Sequence, residues 1–316
     1  MPKLHSARLR KLLDLIVFGV VPVSVLACGA KSNVRTASGG PPQDRPRSEV
    51  TLTYLGAAGW EVHDGASVLL VDPYFTRSDV EDDAALLVPN GEAIARHSPP
   101  RADAILIGHS HYDHLLDAPT IARNLGTTIV GTDSTLNVAR AAGLPESSLI
   151  HVEGGETLGI GPFSVRVLRG RHSETGASFA TIGRGVTLPM KASDYAVGPT
   201  LQYLVRIAAQ RILILFIGSA NFIESELAGT RPTVAIIATS LREKIPDYSC
   251  RLMKALGSPP LVLTNHFDAH WEQLGPKQLD LDEEGRRSLA RFADEVHSCA
   301  PATKVVVPEH FTPISI

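Results

Sequence analysis

From residue 50 onward the apolar positions fall into short runs, and most have the length of a strand. Residues 50–55 alternate apolar and polar side chains, the period-two pattern of a half-buried strand. Residues 60–63 and 68–71 lie on either side of Asp64-Gly65, which reads as a hairpin. Further runs at 104–108, 128–131, 163–168, 201–205, 211–216, 234–238, 261–264 and 304–307 predict strands. Helical patterns occupy 118–124, 134–142, 221–228, 247–256 and 281–298, with Gly143 and the Gly257/Pro259 pair as stop signals. Strands alternating with helices predict a mixed sheet covered by helices.

Two stretches carry no period and predict long loops. Residues 76–103 hold Asp79, Glu81, Asp82 and Asp83, an acidic patch read as a solvated face bordering a cleft. Residues 173–199 hold Phe179, Ile182, Val186, Leu188, Met190 and Tyr195 with Arg184 and Lys191. That mixture reads either as an apolar lid with basic points or as an insertion packed on its own side chains.

The first 48 residues break the pattern. Residues 1–28 have a basic start (Lys3, Arg8, Arg10, Lys11) and then an apolar run ending at Ala27-Cys28, the layout of an export signal. Val25-Leu26-Ala27-Cys28 resembles a bacterial lipobox, which implies lipidation at Cys28 and a place in the cell envelope on the periplasmic or extracytoplasmic side. Residues 29–48 are rich in Ser, Gly, Pro and Arg and read as a flexible tether. The globular domain is then 49–316.

Composition excludes some classes. The chain has 316 residues, 44% of them apolar, enough for a sizeable core. Its formal charge of −3 carries no basic bias toward nucleic acid. Three cysteines without a C-x-x-C are too few for a disulfide scaffold or a thiolate zinc module. After Cys28 only Cys250 and Cys299 remain, and in an oxidising compartment they are candidates for a disulfide.

The chemistry concentrates at the end of the run 104–108. There His109-Ser110-His111-Tyr112-Asp113-His114 places four metal-ligating side chains within six residues. In extended backbone His109 and His111 point to one side, while Asp113 and His114 turn into the next element and address a neighbouring point. Imidazole and carboxylate suit zinc, iron or manganese. Two other histidines sit just past strand ends: His172 after 163–168, and His151 after 149–150, the rival for a third ligand. His266 follows 261–264, and His270 four residues on reads as a neighbour of the ligands or, preferably, as an exposed histidine.

The His109–His114 segment resembles the H-x-H-x-D-H signature of the metallo-β-lactamase fold superfamily, and Leu69-Leu70-Val71-Asp72-Pro73-Tyr74-Phe75 is similar to its lactonase- and phospholipase-like branch. The resemblance implies an αββα sandwich with pseudo-twofold halves. It implies one metal held by His109, His111 and His172 and a second by Asp113, His114 and His266, as one or two Zn2+ ions or alternatively Mn or Fe. It also places Asp72 near the metals, although Asp-Pro explains a strand-ending turn without any metal. The sequence departs from the family at Gly218-Ser219, where many members have Gly-Asp and the aspartate bridges two ions. Ser219 brings no negative charge, so Glu224 or Asp72 is a candidate to fill the gap. Arg169, Arg171 and Lys191 lie nearby in sequence and are read as binding an anionic substrate.

The implied activity is metal-dependent hydrolysis of an ester, lactone or phosphodiester, with Asp113 as the catalytic carboxylate orienting water or taking its proton. The partners expected are a small-molecule or lipid-like substrate and the membrane through the lipid anchor. A non-catalytic metal-binding or interaction protein of the envelope is the alternative, and a β-lactam hydrolase a more distant one, since fold membership does not fix substrate.

Overall fold

A computed structural model describes residues 49–78, 80, 85–176, 179–272, 274 and 281–316. Residues 1–28 with Cys28, read as an export signal, residues 29–48, read as a tether, and the acidic positions Asp79, Glu81, Asp82 and Asp83 lie outside them.

Two seven-stranded sheets are built the same way. In the first half, β1 (Thr51–Gly56), β2 (Gly59–His63) and β3 (Val68–Val71) form an antiparallel meander. A short β4 (Leu86–Leu87) and α1 (Gly91–His97) precede β5 (Ala104–Leu106); α2 (Tyr112–Leu115) and α3 (Ala118–Leu125) precede β6 (Thr128–Gly131); and α4 (Asp133–Ala141) precedes β7 (Leu149–His151). From β3 to β7 the sheet is parallel, each strand reached through a helical crossover. The second half repeats the plan. Strands β8 (Thr157–Ile160), β9 (Phe163–Arg169), β11 (Leu201–Ile207) and β12 (Ile212–Ile217) pair antiparallel, with β10 (Met190–Lys191) pairing β4 outside the sheet. Then α5 (Glu224–Leu227), α6 (Tyr248–Leu256) and α7 (Glu283–Cys299) alternate with the parallel strands β13 (Val234–Ala238), β14 (Leu261–Asn265) and β15 (Lys304–Val306). The last strand, β16 (Pro313–Ser315), returns to pair β1, the place that β8 takes in the second sheet.

Alternation sorts the side chains into layers. Leu69 and Val71 of β3 and Ile214 and Phe216 of β12 meet in the core between the sheets. Their neighbours Val68 and Leu70 face outward under α1–α4, and Leu213, Leu215 and Ile217 face outward under α5–α7. Strands buried on both faces read as continuous apolar runs, which is why 212–217 and 234–238 lack alternation in the sequence. The result is an αββα sandwich.

The sequence reading differs from the structure where elements are short. The loop expected over 76–103 contains β4 and α1, the helix capped by the Asn90 side chain on the Glu92 and Ala93 N–H groups. The helix expected over 221–228 shrinks to α5, because Asn221 and Ser219 make a turn before it (Asn221 N to Ser219 O, 2.7 Å). In the segment 173–199 the described residues from Ile182 on form a packed insertion, while Phe179 is exposed with its ring 6.4 Å from that of His172. Ile182, Met190 and Tyr195 are buried over the first sheet, while Arg184 and Lys191 face solvent.

Cys250 in α6 and Cys299 at the end of α7 form a disulfide with Cα atoms 5.6 Å apart. The 49-residue separation corresponds to about 4 kcal/mol of restricted chain entropy in the unfolded state.

Candidate metal centre

Backbone pairing ends just where the ligating side chains begin. Ile107 still bonds to β6 (N to Val130 O, 2.9 Å), and its carbonyl accepts the Tyr203 hydroxyl at 2.7 Å. Beyond Gly108 the chain runs to His111, the residue before α2, which is extended at φ −61°, ψ 153°. His109 Nε2 and His111 Nδ1 are 3.2 Å apart. His172, three residues past β9, closes the triad with its ring centroid 4.6 Å from each of the other two. Its Nδ1–H donates to the Ser173 carbonyl at 2.8 Å, which leaves the Nε2 lone pair for a metal.

A second triad adjoins the first. Asp113 and His114 stand on the first turn of α2, and His266 just past β14 at φ +49°. His266 Nε2 is 3.1 Å from Asp113 Oδ2, and His114 Nε2 is 3.7 Å from the same oxygen. The rings of His109 and His114 are 3.8 Å apart, so the two triads share a wall.

The donor set fits metal ions. Burial pushes His109 down and His111 and His172 down to about 4, so all three are neutral, the form that ligates. Burial alone would raise Asp113, but His114, His270 and His266 hold it well below the usual carboxylate range. Burial also disfavours a charged His114; the carboxylates of Asp72 and Asp113 outweigh it and raise this imidazole, a field that favours a cation there. His114 Nε2 is buried without a hydrogen-bond partner among the described residues, and 3.7 Å from Asp113 is a separation for two ligands of one ion.

Residues 68–239 match the model of a protein family described as the beta-lactamase superfamily domain. The chain belongs to that superfamily. A UPF0173 metal-dependent hydrolase of Myxococcus xanthus is 25% identical over 153 residues, 48% of this chain and 50% of that protein. One from Nitratidesulfovibrio vulgaris is 24% identical over 245 residues, 68% of this chain and 96% of that protein. The chain thus spans half of the first relative and nearly all of the second. Among solved structures, a metallo hydrolase from Ignicoccus hospitalis superposes with TM-score 0.55 at 17% identity, covering 85% of this chain and 98% of that one. A diiron beta-hydroxylase from Streptomyces venezuelae gives 0.57 at 16% identity, over 86% and 55%. At these identities the structures establish the shared fold.

Within this superfamily frame, the remaining candidates divide. Asp72 does not join either triad. Its backbone is at φ +43°, Oδ1 accepts the Gly108 N–H at 2.6 Å, and Oδ2 lies 2.9 Å from His114 Nδ1. The carboxylate orients the ring whose other nitrogen faces Asp113, so Asp72 is more than a turn residue. A Cβ on Gly108 or on Gly218 would come within 2.9 Å of Oδ2, so both positions need glycine for this close approach. Ser219 lines the cavity beside the triads, and its hydroxyl is tied to Ser173, accepting from N at 2.9 Å and paired with Oγ at 2.8 Å. Glu224 is not available to replace the missing aspartate: it sits on the surface in an ion pair with Arg251 at 2.8 Å. Arg169 pairs with Glu226 at 3.4 Å at the exposed end of β9, and Arg171 and Lys191 are exposed. None of the three lines the cavity, because side chains on the polar face of a strand or loop leave the sandwich rather than enter it. His151 is likewise exposed beside Asp133 and Glu153, away from the triads.

The structure adds groups that sequence reasoning did not assign. Asp268 is buried and takes the Ala57 N–H, the Tyr54 hydroxyl, Arg77 at 3.0 Å and His310 at 3.1 Å. Ala57 O accepts the His266 N–H at 2.9 Å, so this network fixes the loop that carries His266. Asp268 lies two residues from His266, but its partners come from three distant segments, and no local pattern signals them. The cavity over the triads encloses about 750 Å³ and is rimmed by Trp271, Leu241, Glu272, Asp282 and Glu284. Among the described residues its rim is acidic rather than basic.

Proposed function

We propose that this chain is a metal-dependent hydrolase that cleaves an ester, lactone or phosphodiester, with His109, His111 and His172 holding one ion and Asp113, His114 and His266 a second. The observation that carries this reading is the meeting of the two triads at the floor of one open cavity. Three protein ligands per ion leave coordination positions for water and substrate, as in hydrolytic sites. A bound ion of this kind lowers the pKa of its water toward about 7 and polarises a carbonyl or phosphoryl oxygen. The chain's own residues do the rest. Ionised Asp113 accepts hydrogen bonds or a proton beside the second triad. Asp72 keeps the His114 ring in one orientation, and the Ser173 carbonyl does the same for His172.

An anionic substrate no longer finds support in Arg169, Arg171 or Lys191. What supports it is Ser219, which leaves the site one carboxylate short of the family pattern. Zinc suits the donor set, as do iron and manganese.

The test is a substrate panel of aryl esters, lactones and bis-aryl phosphodiesters with the metal-reconstituted protein. Turnover that is lost on chelation and restored by one divalent metal is expected. A fully metal-loaded protein inert toward the whole panel would overturn the hydrolase reading in favour of a metal-binding or interaction protein.

The envelope location is proposed with it. Cys28 is lipidated, residues 29–48 tether the domain, and the Cys250–Cys299 disulfide supports an oxidising compartment. Cys28→Ser is expected to move the protein from the membrane fraction to the soluble one. A wild-type protein already soluble in the cytoplasm would contradict the proposal.

A further inference from the structure

Tyr112 and His270 belong to neither triad, yet both line the cavity beside the second one. Tyr112 opens α2 between His111 and Asp113, and His270 lies on the loop beyond β14. Their side chains meet, Tyr112 Oη to His270 Nε2, at 2.8 Å. Both rings are held in place. Tyr112 packs edge-on against buried Tyr74, and His270 packs edge-on against Trp271 on one side and His266 on the other.

The pair differs from two fully buried tyrosines. Tyr203 and Tyr248 are buried and spend their O–H groups on backbone carbonyls, Ile107 and Ala238. Tyr112 and His270 are only half-buried, and their mutual bond is the one polar contact that either side chain makes among the described residues. Hydrogen counting then has a definite outcome. A neutral imidazole has one N–H and a phenol one O–H. One hydrogen occupies the mutual bond, and the other has no acceptor among the described residues. If the phenol donates to Nε2, the free donor is Nδ1–H; if Nε2–H donates to the phenol, the free donor is the hydroxyl. In either tautomer the pair presents a donor at the cavity.

We propose that Tyr112 and His270 act as one substrate-positioning unit, giving a hydrogen bond to an oxygen of the scissile carbonyl or phosphoryl group beside Asp113, His114 and His266. This rests on the hydrolase reading only for the identity of the group being held; the donor itself is a property of the cavity. The unit is built for an oxyanion-bearing centre, because an acceptor oxygen completes it and an amine or hydrocarbon does not. The two residues are far apart in the chain, so α2 and the β14 loop must both be in place before the donor exists.

Inorganic phosphate is the probe, titrated by calorimetry into the metal-loaded full chain. Tyr112→Phe and His270→Gln are each expected to weaken phosphate about tenfold, the scale of one hydrogen bond to a charged acceptor. Because the residues act together, the double variant falls no further than the worse single one. Bound metal and the melting temperature stay at wild-type values. Phosphate affinity within twofold of wild type in both single variants would overturn the proposal. So would losses that multiply in the double variant, or a loss of metal in Tyr112→Phe, which would place that residue in support of the ligands. The titration needs no turnover, so an inert protein on the substrate panel would sink the hydrolase reading while leaving this result readable.

Discussion

Replacing His109 and His111 together by alanine is expected to empty the first triad of metal. The two rings stand 3.2 Å apart, nitrogen to nitrogen, and His172 is the only ligating side chain left within that triad. Loss of a group that merely orients a ligand typically costs ten- to a hundredfold in metal affinity, so loss of two of three ligands exceeds about a hundredfold. All three histidines are neutral through burial, so the affinity rests on lone pairs rather than on charge, and water in the vacated space is a poor replacement. After dialysis, metal analysis of the double variant is expected to show the first ion gone, and turnover of any panel substrate to fall by at least a hundredfold. The second triad, with its own carboxylate, retains part of its metal. Metal content equal to wild type would rule out these histidines as ligands.

The second large effect is expected at Ser219. A carboxylate there would offset two divalent ions, and the serine hydroxyl offers only a dipole. None of the acidic side chains considered as a replacement is placed to take that role: Asp72 is engaged by Gly108 N–H and His114 Nδ1, and Glu224 by Arg251. The triads are therefore expected to hold their ions unequally. The three imidazoles of the first would bind tightly; an ion in the second, close beside it, would meet the repulsion of the first with only Asp113 to offset it. Added phosphate supplies negative charge and is expected to raise the second affinity about tenfold. Ser219→Asp is expected to tighten the second ion by tenfold or more and to remove most of the phosphate effect, since Ser173 N–H, which now bonds to Ser219 Oγ, suits a carboxylate oxygen equally. Calorimetric titration of the apoprotein with and without phosphate measures both. Two equally tight ions in the wild type without any anion would show that another group already does the bridging.

The local chemistry was legible in the chain because it is local. His109, His111, Asp113 and His114 lie in six residues, and a segment running from a strand end into a helix separates them into two directions by backbone geometry alone. The strands were legible for the same reason: a four- to seven-residue apolar run must be buried whatever surrounds it. The αββα order followed from the family resemblance, and the topology adds the repeated meander-then-parallel plan and the return of β16 to the first sheet. The short strands β4 and β10 escaped notice because their stability comes from their pairing with each other, not from their own two residues.

Only the tertiary structure could decide which distant groups meet. His172 follows β9 and His151 ends β7, and the pairing of β9 with β11 and of β7 with β6 brings the first to His109 and leaves the second at the surface. Arg169, Arg171 and Glu224 are near the site in sequence and away from its cavity in space, because the end of β9 and a surface helix face water there. Asp72 reads as a turn until Gly108 and Gly218, from the two sheets, close on its carboxylate. Composition and period determine which residues are buried and which local segments carry ligands. Long-range register determines which of them share a cavity, since a one-residue slip of any strand would turn its side chains to the opposite layer.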